Sequence, residues 1–205
     1  ANNILLVCAE TYSKFLNSND RGNRTIFGDA ASATIISNEK NGMAAEILNF
    51  SLGTDGSGAE NLIVKGGGMR NRNGGENILE DDYGNEYSDN DLKMNGPAIF
   101  NFTVKRIPEL VNDTLLKNNL KTDDVKHFIF HQANSYMLNH LRKKMKVSSD
   151  KFPIKMDFCG NTVSSTIQIV LSEMNDDYSF KKDDLALLAG FGVGYSWGAV
   201  AIKFH

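Results

Sequence analysis

The apolar positions fall into runs of two kinds. Ile4-Leu5-Leu6-Val7-Cys8-Ala9 is unbroken, the pattern of a strand buried on both faces in a parallel sheet. Phe27-Gly28-Asp29-Ala30-Ala31 reads as a tight turn feeding a second buried strand at Thr34-Ile35-Ile36, with small residues where backbones approach closely. A third strand is expected over residues 44–50, separated from the second by Asn41-Gly42, a hairpin signal. Between residues 53 and 90 the pattern dissolves into Gly, Asn and Asp, with Leu62-Ile63-Val64 as a short strand candidate. A loop of that length in a compact domain is usually a lid, a pocket wall or a partner surface.

From Gly96-Pro97, where proline suits a first helical turn, the spacing changes. Phe100, Val104, Ile107, Val111 and Leu115 recur at helical intervals, with a kink expected at Pro108. Shorter elements then alternate. Strands are predicted at 127–130, 153–156 (the weaker), 185–189 and 197–204, helices at 135–145 and 162–174, and a Gly-rich turn at 190–194. Alternation of this kind indicates an α/β fold with βαβ units and a largely parallel sheet carrying helices on its faces.

Composition narrows the function classes. The 205 residues are 41% hydrophobic and 23% charged, as in an ordinary globular protein, and the net charge of −3 gives no electrostatic case for nucleic acid or a membrane surface. No apolar run approaches the roughly 20 residues that span a bilayer. Two cysteines, Cys8 and Cys159, are too few for a disulfide framework, so a reducing cytoplasm is the simpler expectation. The sequence lacks an initiator methionine and enters its first apolar run at once, and we expect it to be part of a longer chain.

Three polar segments lie at predicted strand ends, where open α/β sheets place their sites. They are His131-Gln132-Ala133-Asn134, Gly160-Asn161-Thr162, and Gly190-Phe191-Gly192-Val193-Gly194. A neutral imidazole N–H and a carboxamide N–H converging on a thioester carbonyl would stabilise the enolate formed when a malonyl group loses carbon dioxide. Backbone N–H groups of the glycine turn could hold a second oxyanion. Taken one at a time, His131 reads first as a structural histidine and Asn161 as a helix N-cap. No metal site is expected: His127 and His131 share a strand face without a completing Cys or carboxylate cluster, and the acidic stretch from Glu80 to Asp91 lacks calcium-loop spacing. Gly66-Gly67-Gly68 is not followed by the Lys-Ser/Thr of a phosphate loop.

In their order and spacing, these three motifs through Tyr195-Ser196-Trp197-Gly198 resemble the β-ketoacyl-acyl-carrier-protein synthase III family of the thiolase superfamily. Phe27-Gly28-Asp29-Ala30-Ala31 and Met94-Asn95-Gly96 with Phe100 and Phe102 extend the likeness over nearly all of the chain. The resemblance implies a thiolase-like, layered α/β/α half of a duplicated fold. Residues 1–90 would be the end of the first half plus a connecting loop, and 91–205 the carboxy-terminal half. It implies decarboxylative Claisen condensation of an acyl thioester with malonyl-acyl carrier protein, with acyl-CoA and malonyl-ACP as substrates and no cofactor. Acyl carrier protein and CoA thioesters would be partners, and the full-length protein a homodimer. His131 and Asn161 would be the two catalytic donors, Val193 part of the oxyanion turn, Asn134 a lining residue of the pantetheine tunnel, and Phe191 a neighbour of the catalytic centre.

The nucleophilic cysteine of that family would lie upstream, outside this chain. Cys8 sits mid-strand, as a small hydrophobe does, and Cys159 stands beside Gly160-Asn161. Val193 replaces a glycine of the family's turn, and Tyr136 stands where many members carry an arginine that docks the carrier protein or CoA. Arg142-Lys143-Lys144-Met145-Lys146 could meet an acidic carrier protein or serve as a solvated helix end. Two other readings stay open: another synthase of the superfamily, and a non-catalytic module that binds a pantetheine arm.

Overall fold

The computed structural model describes residues 2–39, 44–76, 78–80, 84, 86–192 and 194–205. The chain opens with strand β1 (Asn3–Glu10), a single-turn helix α1 (Arg21–Arg24), and strands β2 (Ala30–Ser37) and β3 (Ala45–Thr54). Four short strands follow: β4 (Leu62–Ile63), β5 (Ile78–Glu80), β6 (Glu86–Ser88) and β7 (Lys93–Met94). Then come helix α2 (Gly96–Lys117), β8 (His127–Phe130), α3 (Ser135–Lys144), α4 (Thr166–Asp176), β9 (Leu185–Gly192) and β10 (Ser196–Phe204).

The central sheet has the order β3-β10-β9-β8. On one face α2 and α3 bury Ile107, Leu110, Leu138 and Leu141 against Phe128, Phe130 and Leu187. On the other, α4 packs Val170 and Met174 against Ile129, Ala186 and Ile202. The result is a three-layer α/β/α arrangement. Each fully buried Leu, Ile or Phe contributes roughly 1.5–3 kcal/mol. Helix α2 begins where Asn95 Oδ1 accepts from Ala98 N–H at 3.0 Å, and it continues unbroken through Pro108.

Several sequence expectations are corrected. The sheet is not largely parallel, since only β8 and β9 run parallel while β10 is antiparallel to both β9 and β3. The turn after β9 is too short for a crossover, and a tight turn can join only antiparallel neighbours. The expected glycine turn shrinks for the same reason: Gly190 and Gly192 are strand residues paired with Gly198 and Ser196. No strand forms at residues 153–156. Pro153 lacks an N–H, and the N–H of Lys155 is given to the Gln132 side chain at 2.9 Å. β2 and β3 do not form a hairpin, because they belong to different sheets; Asn41-Gly42 lies outside the described residues.

The long loop contains its own small pairings, β4 with β7 and β5 with β6. Asp81 and Asp82 of the acidic stretch lie outside the described residues.

The opening strand is the largest departure. β1 pairs antiparallel with β2 in a two-stranded sheet, and its apolar side chains are open rather than buried. Leu5 (64% exposed) lies directly across from Ile35 (73% exposed). An apolar run reports only that a strand wants cover on both faces; a two-stranded sheet cannot supply it. Such a surface promotes association. Combining Leu5→Lys with Ile35→Glu, an opposite-charge cross-strand pair, should therefore shift the 205-residue chain toward monomer in light scattering. An unchanged size distribution would count against this sheet as the sticky face.

A candidate active site beneath the cavity mouth

The ends of β8, β9 and α4, the start of α2 and the segments after β1 surround one cavity of about 650 Å³. His131 enters it because its N–H extends the β8–β9 ladder to Ala189 O at 2.8 Å, which carries the side chain past the sheet edge. Its Nδ1 lies 2.8 Å from Thr166 Oγ1 at the start of α4. The Phe191 ring stands edge-on to the imidazole, with centroids 5.4 Å apart at 88°. Burial pushes the His131 imidazole down to about 4, against a smaller opposing effect of the Val163 carbonyl. At neutral pH the ring is uncharged and carries one proton.

This shift has a measurable sign. Between the unfolded value of about 6.5 and the folded value of about 4, the unfolded chain takes up a proton that the folded chain refuses. The stabilisation is complete above pH 6.5 and disappears as pH falls to 4, amounting to about 3 kcal/mol. Denaturant titrations at pH 7 and pH 4.5 should show this loss, and His131→Gln should show a smaller one. Equal acid sensitivity of both proteins would refute the assignment.

Asn161 is buried and is held by backbone on both sides. Its N–H donates to Ile26 O at 2.8 Å, and its carbonyl accepts from Gly28 N–H at 3.0 Å. Its Oδ1 accepts from Val163 N–H at 2.9 Å, which leaves Nδ2 as the donor of the carboxamide. The expected helix over 162–174 is thereby divided. Val163–Ser165 is a 3-10 turn, with Val163 at φ +54, and α4 starts only at Thr166. A β-branched residue in the left-handed region is costly, and the turn it makes serves both donors. Val163 N–H fixes Asn161, and Val163 O lies 3.1 Å from the Thr166 hydroxyl.

Asn134 and Phe191 also line the cavity. Asn134 is the N-cap of α3, with Oδ1 accepting from Met137 N–H at 2.8 Å. Val193 lies outside the described residues. Tyr136, strongly exposed, and Phe100 meet at the rim with ring centroids 5.8 Å apart. Leu62 and Met94 lie in the cavity wall, so part of the long loop is a pocket wall. Sequence reasoning missed Thr166, Val163 and Tyr12 as site residues. Nothing in the sequence marked Thr166, because the helix expected over 162–174 placed it inside that helix and not at the start of α4.

Neither cysteine is among the residues lining the cavity. Burial, with a lesser contribution from Glu173, pushes the Cys159 thiol up, away from a thiolate at neutral pH. Cys8 Sγ receives a long hydrogen bond from Gln168 Nε2 at 3.5 Å. His127 lies apart from the cavity lining, with Nε2 3.5 Å from Asp184. In the basic stretch, Arg142 donates to Val147 O and Lys144 to Val104 O, so both are engaged within the fold. Among the described residues no group of three or more His, Cys, Asp or Glu could hold a metal, and no helix is long and apolar enough to cross a membrane.

Comparison with known proteins identifies the family. The family model described as 3-oxoacyl-[acyl-carrier-protein] synthase III matches residues 1–56, and that of its C-terminal region matches residues 115–204. A β-ketoacyl-[acyl-carrier-protein] synthase III of Clostridium perfringens is 36% identical over 99% of this chain and 60% of its own length. One from Clostridium botulinum is 37% identical over 98% of this chain and 59% of its own length. A crystal structure of a 3-oxoacyl-(acyl-carrier-protein) synthase III superposes with a TM-score of 0.92 at 41% identity, covering all of this chain and 61% of the other. The Thermus thermophilus synthase III gives 0.83 at 28% identity, over 100% of this chain and 60% of that one. The chain thus spans about 60% of the length of these relatives. With its thiolase-type α/β/α fold and the two family-model matches, it belongs to the 3-oxoacyl-acyl-carrier-protein synthase III family.

Proposed function

We propose that this chain supplies the decarboxylating part of a synthase III active site. The observation that carries the reading is the placement of His131 and Asn161, both held by hydrogen bonds of 2.8–2.9 Å, in the wall of one largely apolar cavity. A malonyl thioester entering this cavity would set its carbonyl oxygen between the His131 ring N–H and Asn161 Nδ2. The carbon–carbon bond to the carboxylate then breaks, carbon dioxide leaves, and the electron pair moves onto the thioester as an enolate. Two preplaced donors in water-poor surroundings stabilise that oxyanion without reorganising at the moment of reaction. In condensation, the enolate carbon attacks an acyl thioester and expels its sulfur. The relatives named above act with acyl carrier protein, and we extend that partner, CoA thioesters as acyl donors and a homodimeric whole to this protein.

Absence of both cysteines from the cavity lining favours an acyl-bearing cysteine outside this chain. By itself, the chain should then release carbon dioxide from malonyl-CoA slowly and form acetyl-CoA, but should not join it to added acyl-CoA. Condensation product from the 205-residue chain would overturn the division of labour. No carbon dioxide release would leave the alternative of a module that binds the pantetheine arm without turning it over, provided CoA binds.

A further inference from the structure

A neutral histidine carries its proton on one ring nitrogen, and a donor to a thioester oxygen needs it on the nitrogen that faces the substrate. Nδ1 of His131 is engaged by Thr166, and Nε2 is the remaining candidate for the cavity. Everything therefore turns on which partner donates across the 2.8 Å contact between Thr166 Oγ1 and Nδ1.

Thr166 has one hydroxyl proton and two acceptors within reach. Val163 O is 3.1 Å away, beyond the ordinary 2.5–3.0 Å range for O–H···O bonds, whereas Nδ1 at 2.8 Å is at full hydrogen-bond length. We propose that Thr166 is a positioning residue: its hydroxyl donates to His131 Nδ1 and thereby fixes the proton on Nε2, presenting an N–H to the cavity. Its consequence for catalysis rests on the decarboxylating reading above, but the proton assignment itself does not. The bland alternative is a helix-start threonine bonding back to its own i−3 carbonyl, with no influence on the ring.

Removing the hydroxyl separates the two. Thr166→Val keeps the shape and deletes the donor. The Val163 carbonyl, which shares the Thr166 hydroxyl with Nδ1 as a neighbour, then becomes the natural partner for a protonated Nδ1. The ring should switch tautomer and turn a bare Nε2 toward the cavity. Under the proposal this costs one oxyanion donor, or about 10²–10³ in rate.

The test is nitrogen NMR of the 205-residue chain labelled with ¹⁵N-histidine. The His131 signals are assigned by their loss in His131→Gln, and His127, His140 and His205 report on the fold. The expected result is an Nε2–H tautomer in the unaltered chain and in Thr166→Ser, and an Nδ1–H tautomer in Thr166→Val. An Nδ1–H tautomer in the unaltered chain overturns the proposal without any variant. So does an Nε2–H tautomer that survives in folded Thr166→Val. Carbon dioxide release from malonyl-CoA is followed alongside, with Thr166→Ser expected to restore most of what Thr166→Val loses. If the unaltered chain shows Nε2–H and the predicted switch but no decarboxylation, the decarboxylating reading fails and the role of Thr166 stands.

Discussion

Alanine in place of His131 should lower malonyl-CoA decarboxylation about 10²–10³-fold, the usual cost of losing one oxyanion donor. The loss should fall on the chemical step, because the apolar cavity proposed to receive the thioester arm remains. Asn161→Ala should cost a comparable factor. Groups that act on one oxyanion as a unit are strongly non-additive, so the double variant should be little worse than either single one. His131→Asn, which returns a carboxamide N–H to the same region, should recover part of the rate. Carbon dioxide release under saturating malonyl-CoA, alongside thermal denaturation to confirm folding, makes the measurement. If folded His131→Ala retained a rate within a few fold of the unaltered chain, His131 would be a structural residue and the proposed site would be wrong.

Gly28→Ala should be as damaging by a different route. A Cβ at Gly28 would stand 2.0 Å from the carbonyl oxygen of Cys159, and the obstructing atom is backbone. The approach is imposed by a parallel bridge between Phe27 and Asn161, closed by Gly28 N–H to Asn161 O and Asn161 N–H to Ile26 O. Relief requires the two segments to separate, at a typical overpacking cost of about 1–3 kcal/mol. Separation would also move Asn161, so decarboxylation should fall together with stability. Gly56→Ala is the control, since nothing lies within 4 Å of its Cβ position; it should stay within about 0.5 kcal/mol. Denaturant midpoints and carbon dioxide release for the two variants decide it. A Gly28→Ala chain as stable and active as Gly56→Ala would mean that this bridge does not hold the site.

Which side chains would share one cavity was legible to an unusual degree. The family resemblance singles out His131, Asn134, Asn161, Phe191 and Val193; the first four line the same space, and Val193 lies outside the described residues. Gly28 was legible as a close-approach residue, though not its partner. Val163 and Thr166 were not, because what matters about them is a positive φ and a hydroxyl aimed at a ring 35 residues away. Val in a left-handed turn runs against local preference, and only surrounding contacts can impose it.

By itself, the sequence determined the α/β class, the positions of α2, β8 and α3 to within a few residues, and the identity of the polar groups at strand ends. Those rest on local rules: a helical period, a short apolar run, a capping side chain. The tertiary structure decided which strands are neighbours and in which direction, because pairing depends on how the chain returns. It put β10 antiparallel between β3 and β9 and set β1 and β2 apart as an open apolar pair. It also decided how the two donors are held, through the Phe27–Asn161 bridge and the Thr166 hydroxyl. Hydrophobic pattern states what a segment must bury; only the assembled chain states against what.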